Sequence, residues 1–89
     1  MKSWQIKKIG YEREYKALDI LSKQGYICYR VPMSNLPFDI VCIDIQNKLL
    51  RLIEVKSPKS QLSKRQKQFK ELIEKHNIKE FIYEVMVVD

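Results

Sequence analysis

Three residues near the middle of the chain have the types and spacing for phosphoryl chemistry: Asp39, and the pair Glu54 and Lys56. Side chains alternate between the faces of an extended strand. Glu54 and Lys56 therefore share a face with Leu50 and Leu52, while Arg51, Ile53 and Val55 face the other way. A face that opens on leucines and closes on a carboxylate and an ammonium is not simply half-buried. Asp39 leads a preceding strand face with Val41 and Ile43, and a hairpin turning at Gln46-Asn47-Lys48 brings Asp39 beside Glu54 and Lys56. Two carboxylates suit a hard divalent cation such as Mg²⁺, which takes one or two carboxylates with waters and phosphate oxygens. Such an ion acidifies a bound water and neutralises charge on a phosphate. A lysine alongside orients that water or stabilises the transition state. For an isolated Glu-x-Lys the simpler reading is a cross-strand ion pair on a solvated face; Asp39 after a proline-containing turn shifts the balance towards a site.

The elements that must position these groups follow from periodicity. Tyr11, Glu14, Ala17, Leu18 and Leu21 recur at helical spacing, predicting a helix over 9–24 that ends on a left-handed cap at Gly25. Strands are expected over 26–31, 38–45 and 49–56, then a helix over 63–76 with Leu62, Gln66, Phe69 and Ile73 on one stripe, and a last strand over 81–88. The order αβββαβ implies an α/β fold, a mixed sheet with helices packed on it. Glu14 lies on the core-facing stripe of the first helix, where an unpartnered carboxylate would cost several kcal/mol; it either pairs or sits at the stripe's edge in solvent. Ser63 and Gln66 fit a capping box, yet Gln66 also lies on the apolar stripe, so a cap and a place at the site are both open. Ser34 either serves the site or satisfies turn backbone.

The chain has 89 residues, 45% hydrophobic and 31% charged, which is enough for one core and one domain. Seventeen basic against eleven acidic residues favour a polyanionic partner, nucleic acid first. Lys59, Lys64, Arg65, Lys67 and Lys70 cluster near the second helix, and Lys7, Lys8, Arg13 and Lys16 mark the first. Residues of this kind contact phosphates and do not read sequence; a solvated helix face is the alternative for many of them. No zinc-finger, basic-zipper or RNA-recognition pattern is present. Cys28 and Cys42 lack CxxC spacing and read as small buried hydrophobes. No apolar run approaches the ~18 residues of a membrane span and the start MKSWQIKKIG has no signal-like apolar core, so an intracellular, cytoplasmic protein is expected.

These residues resemble the PD-(D/E)xK phosphodiesterase superfamily: Pro37-Phe38-Asp39, then Glu54-Val55-Lys56 after a hairpin-length gap. More narrowly, the chain resembles the archaeal Holliday-junction resolvases and the VRR-NUC domain. Gly10, Glu14 and Gly25 are similar to the family's first helix. Arg30-Val31-Pro32-Met33-Ser34 is similar to the resolvases' Arg-x-Pro-x-Ser loop, and Leu62-Ser63-Lys64-Arg65-Gln66 to the Leu-Ser-x-x-Gln of VRR-NUC domains. The chain departs from the pattern in having Phe38 before Asp39 and a short loop from Ser34 to Asp39.

The resemblance implies a restriction-endonuclease-like core and a Mg²⁺-dependent DNA endonuclease. It assigns metal binding to Asp39 and Glu54, with the Val55 carbonyl a further ligand and Glu14 reaching the metal directly or through water. It makes Lys56 the catalytic lysine, with Ser34 and Gln66 beside the site. Arg30, with Lys8, Arg13, Lys59, Lys64 and Arg65, is expected to contact DNA. Carboxylate and water ligands suit Mn²⁺ as well. The leading substrate is branched DNA cut by a homodimer; a flap- or duplex-preferring nuclease and a non-catalytic DNA-binding or assembly module are the alternatives.

Overall fold

A computed structural model describes residues 3–31 and 36–89, with side chains from residue 11 onward. The described elements are α1 (Ser3–Lys23), β1 (Ile27–Arg30), β2 (Ile40–Asp44), β3 (Leu49–Lys56), α2 (Lys64–Lys75) and β4 (Phe81–Val87). The four strands form one mixed sheet in the order β1-β2-β3-β4. The first three run antiparallel, and β4 joins β3 in parallel after the α2 crossover. The architecture is the expected α/β one, a restriction-endonuclease-like core.

Helix α1 begins six residues before the expected start at residue 9. The helix runs through Gly10, since one glycine inside a helix costs only about 1 kcal/mol. At the other end Gly25 has φ 90° and turns the chain into β1. No side chain packs within 4 Å of the position a Cβ would take there, so the glycine answers to backbone conformation and not to crowding. Between β2 and β3, Asp44 accepts from both the backbone N–H and the side-chain amide of Asn47, and Lys48 takes φ 56°. The hairpin that carries the Glu-x-Lys strand is thereby held in register.

The core lies between α1 and one face of the sheet: Ala17 and Leu21 pack against Ile40, Cys42, Ile53, Val55 and Val88. Cys28 and Cys42 do not remain free thiols as the sequence reading has them; they form a disulfide. The reason is register: β1 and β2 pair with Cys28 directly opposite Cys42, which brings their Cα atoms to 4.1 Å. On the other face α2 lies over β3 and β4, where Phe69 packs against Tyr83 with ring centroids 5.2 Å apart and against Phe38 at 6.0 Å. Glu54 and Lys56 project on this second face. Among the described residues no helix is long and apolar enough to cross a membrane.

Candidate active site

Where β2 begins, its last regular partner across β3 is Ile53, opposite Ile40. Asp39 stands one residue before, and its backbone N–H donates to the Ile53 carbonyl at 2.8 Å. Its carboxylate Oδ2 then accepts the Val55 N–H at 2.8 Å. A side-chain oxygen thus does what a backbone carbonyl does elsewhere in the sheet. One oxygen of Asp39 is fixed by β3, and the other is left to face the site.

Glu54 is one residue along β3 from this bond. It is 6% exposed, which is exceptional for a carboxylate. Burial pushes its pKa up, the nearby Asp39 charge pushes it further, and Lys56 and the Gln66 amide pull it back, leaving it at about 7. Lys56 Nζ stands 3.7 Å from Glu54 Oε1 with its side chain 19% exposed. The three residues read from the sequence as a unit therefore converge at one end of the sheet.

Glu14 comes in from α1. Ala17 and Leu18 follow it at helical spacing and point it at the sheet, at the end where Asp39 lies. Burial raises its pKa, as does the Asp39 charge, while Arg30 lowers it. Arg30 Nε is 3.5 Å from a Glu14 oxygen. The Arg30 guanidinium also stacks over Tyr11 at 4.3 Å and lies 5.6 Å from the Tyr15 ring centroid. Arg30, expected from the sequence to contact DNA, is paired with Glu14 and lies against two tyrosines, with its side chain 19% exposed.

Gln66 performs both functions left open in sequence. Ser63 Oγ accepts the Gln66 N–H and Gln66 Oε1 accepts the Ser63 N–H, closing the capping box, while the rest of the amide faces Glu54. Lys59, Lys64 and Arg65 are exposed around the same end of α2, and Arg13 is half-buried on α1. Ser34 lies outside the described residues, as does the side chain of Lys8.

Tyr83 is absent from the sequence reading and present here. It lies opposite Leu52 in the β3–β4 register, on the Glu54 face, and its hydroxyl donates to the Pro37 carbonyl at 2.5 Å. Burial raises its pKa, and the Glu54 and Asp39 charges raise it further, so the phenol stays a donor. A tyrosine in an apolar strand gives no sequence signal beyond a buried polar tip that needs a partner.

Among the described residues no group of three or more His, Cys, Asp and Glu side chains is drawn together tightly enough to hold a metal ion. The fit of a divalent ion therefore rests on Asp39 and Glu54 with backbone and water oxygens, a donor set that suits Mg²⁺, since it keeps several waters. A buried carboxylate whose proton affinity is raised by burial and by the Asp39 charge, as that of Glu54 is, is also what a bound cation relieves. A family profile described as VRR-NUC domain matches residues 28–87. No curated protein and no solved structure gives a significant match to the chain.

Proposed function

The chain belongs to the VRR-NUC family, a nuclease family, and from that premise we propose that it is a Mg²⁺-dependent DNA endonuclease whose working groups are Asp39, Glu54 and Lys56. The observation that carries this reading is the convergence of two partly desolvated carboxylates and a lysine at one sheet end, with one Asp39 oxygen already spoken for by the Val55 N–H. Asp39 and Glu54 would hold the ion, with the Val55 carbonyl as a third oxygen. A divalent cation bound there supplies an acidified water and neutralises charge on the phosphate. Glu14, paired with Arg30 and close to Asp39, would reach the ion directly or through a water. Lys56 donates to the attacking water or to the non-bridging phosphate oxygen, offsetting the charge that builds there. The water oxygen forms the new bond to phosphorus and gives up its proton to solvent or a neighbouring carboxylate, while the bond to the sugar oxygen breaks in line and that oxygen leaves as the alcohol, taking a proton from solvent.

Recognition is by backbone and shape. Helix α2 has no acidic residue in its first turn and carries Lys64, Arg65 and Lys67 there. Cations at the positive end of a helix dipole are unfavourable by themselves; a phosphate lying between them and the helix N-terminus turns the arrangement favourable. The preferred substrate in this reading is branched DNA, cut by a homodimer because opposed strands need two sites. Flap or plain duplex preference is the second enzymatic reading. Cleavage of junction, flap and duplex DNA with Mg²⁺, alongside light scattering of the same protein, separates them. Asp39→Asn and Lys56→Ala are each expected to lower the rate by at least a hundredfold while DNA binding without metal is kept. Wild-type rates in both variants would sink the reading and favour a non-catalytic DNA-binding module.

A further inference from the structure

Just before β2 the pairing with β3 is irregular: the Asp39 N–H donates to the Ile53 carbonyl and Asp39 Oδ2 accepts the Val55 N–H. Pro37 is buried, and a buried carbonyl left without a donor costs about 1–3 kcal/mol. The Tyr83 hydroxyl fills that need, from a residue 46 positions away in sequence. The tyrosine is itself braced: its ring packs edge-on against Phe69 of α2, and Phe69 also touches Phe38, the residue between Pro37 and Asp39.

We propose that Tyr83 is a positioning residue for the site: by holding the Pro37 carbonyl, two residues before Asp39, it ties this segment to β4 and so holds the Asp39 carboxylate in its place at the sheet end. Without the hydroxyl, the segment 37–39 loses its tie to β4, and the hold of the Val55 N–H on Asp39 Oδ2 is left to keep that carboxylate turned into the site. The inference rests on the proposed role of Asp39 as a metal-holding group. It differs from the capping function of Gln66, which acts on Glu54 from α2.

The test is Tyr83→Phe, which keeps the ring against Phe69 and removes only the hydroxyl. Three quantities are measured on the intact protein: the thermal midpoint without metal, the affinity for Mn²⁺ by spin-probe or calorimetric titration, and the Mg²⁺ dependence of DNA cleavage. The expected result is Mn²⁺ affinity weakened about tenfold and half-saturating Mg²⁺ raised to match. DNA affinity without metal stays unchanged, and the unfolding transition remains cooperative. Tyr83→Leu, which loses ring and hydroxyl, should match the phenylalanine variant in metal affinity and fall below it in midpoint. Mn²⁺ affinity and Mg²⁺ dependence equal to wild type in Tyr83→Phe overturn the proposal. A wild type that binds Mn²⁺ through Asp39 yet cleaves no DNA overturns the nuclease reading alone, and the Mn²⁺ titration still decides on Tyr83. A wild type that binds no Mn²⁺ overturns both.

Discussion

Glu54 is the residue at which fold and function pull apart. Its folded pKa of about 7 lies above the ordinary carboxylate value of 4.5, so the folded chain holds this proton more tightly than the unfolded chain does. Stability from that difference is complete below about pH 4.5 and is lost as pH rises through about 7. At pH 8 without metal, the ionised side chain costs the fold on the order of 1–3 kcal/mol. Glu54→Gln, which cannot ionise, is therefore expected to raise the thermal midpoint at pH 8 by roughly 4–8 °C for each kcal/mol recovered, and to leave it near wild type at pH 4.5. Mg²⁺ should raise the wild-type midpoint at pH 8 and leave the glutamine variant where it is. A glutamine variant less stable than wild type at pH 8 would mean that Glu54 is stabilised by its neighbours and not strained by burial. At this scale the sequence is informative wherever polarity contradicts periodicity. Asp39, Glu54, Lys56 and Glu14 all announce themselves as charges on faces that ought to be apolar. Tyr83 does not, because its one informative atom is a hydroxyl whose partner, the Pro37 carbonyl, is a backbone group in a distant loop.

Among the elements, α2 carries in Gln66 a residue whose cap and whose proposed part in the chemistry can be separated. Its capping box satisfies N–H groups at the helix start, and Ser63 takes no further part. Ser63→Ala is thus expected to cost about 1 kcal/mol, lowering the midpoint by a few degrees, with a cleavage rate within twofold of wild type. Gln66→Ala should lower stability by a similar amount and the rate by tenfold or more, since Glu54 then loses the amide facing it. Equal rate effects in the two variants would reduce Gln66 to its cap. Element boundaries were mostly legible: β3 is where its alternation puts it, and the Gly25 cap closes α1. The start of α1 was not, because the recurrence that marks the helix begins only at Tyr11. The Cys28–Cys42 bond was hidden for a different reason. Spacing rules find cysteines that meet within one loop, whereas these meet across a ladder, and only the pairing of β1 with β2 places them opposite each other.

For the molecule as a whole, charge decides how DNA is met. The net charge of +6 is concentrated in sequence around the start of α2, where Lys59, Lys64, Arg65, Lys67 and Lys70 lie within twelve positions, and Lys59, Lys64 and Arg65 are exposed beside the end of the sheet that carries Asp39 and Glu54. Such a surface binds by releasing counterions from phosphates. The logarithm of affinity should therefore fall linearly with the logarithm of salt, at a slope near −0.9 for each phosphate neutralised. With about five contacts, affinity falls several-hundredfold between 50 and 200 mM salt, to a similar degree for duplexes of different base composition. Replacing Lys64 and Arg65 together by alanine should make the slope shallower by about two and weaken binding to every DNA tested by the same factor, while the Mn²⁺ affinity of the Asp39–Glu54 site stays as it is. A slope unchanged in the double variant would move the DNA path away from α2. A loss that fell on one base sequence alone would mean that these side chains read base edges and not phosphates.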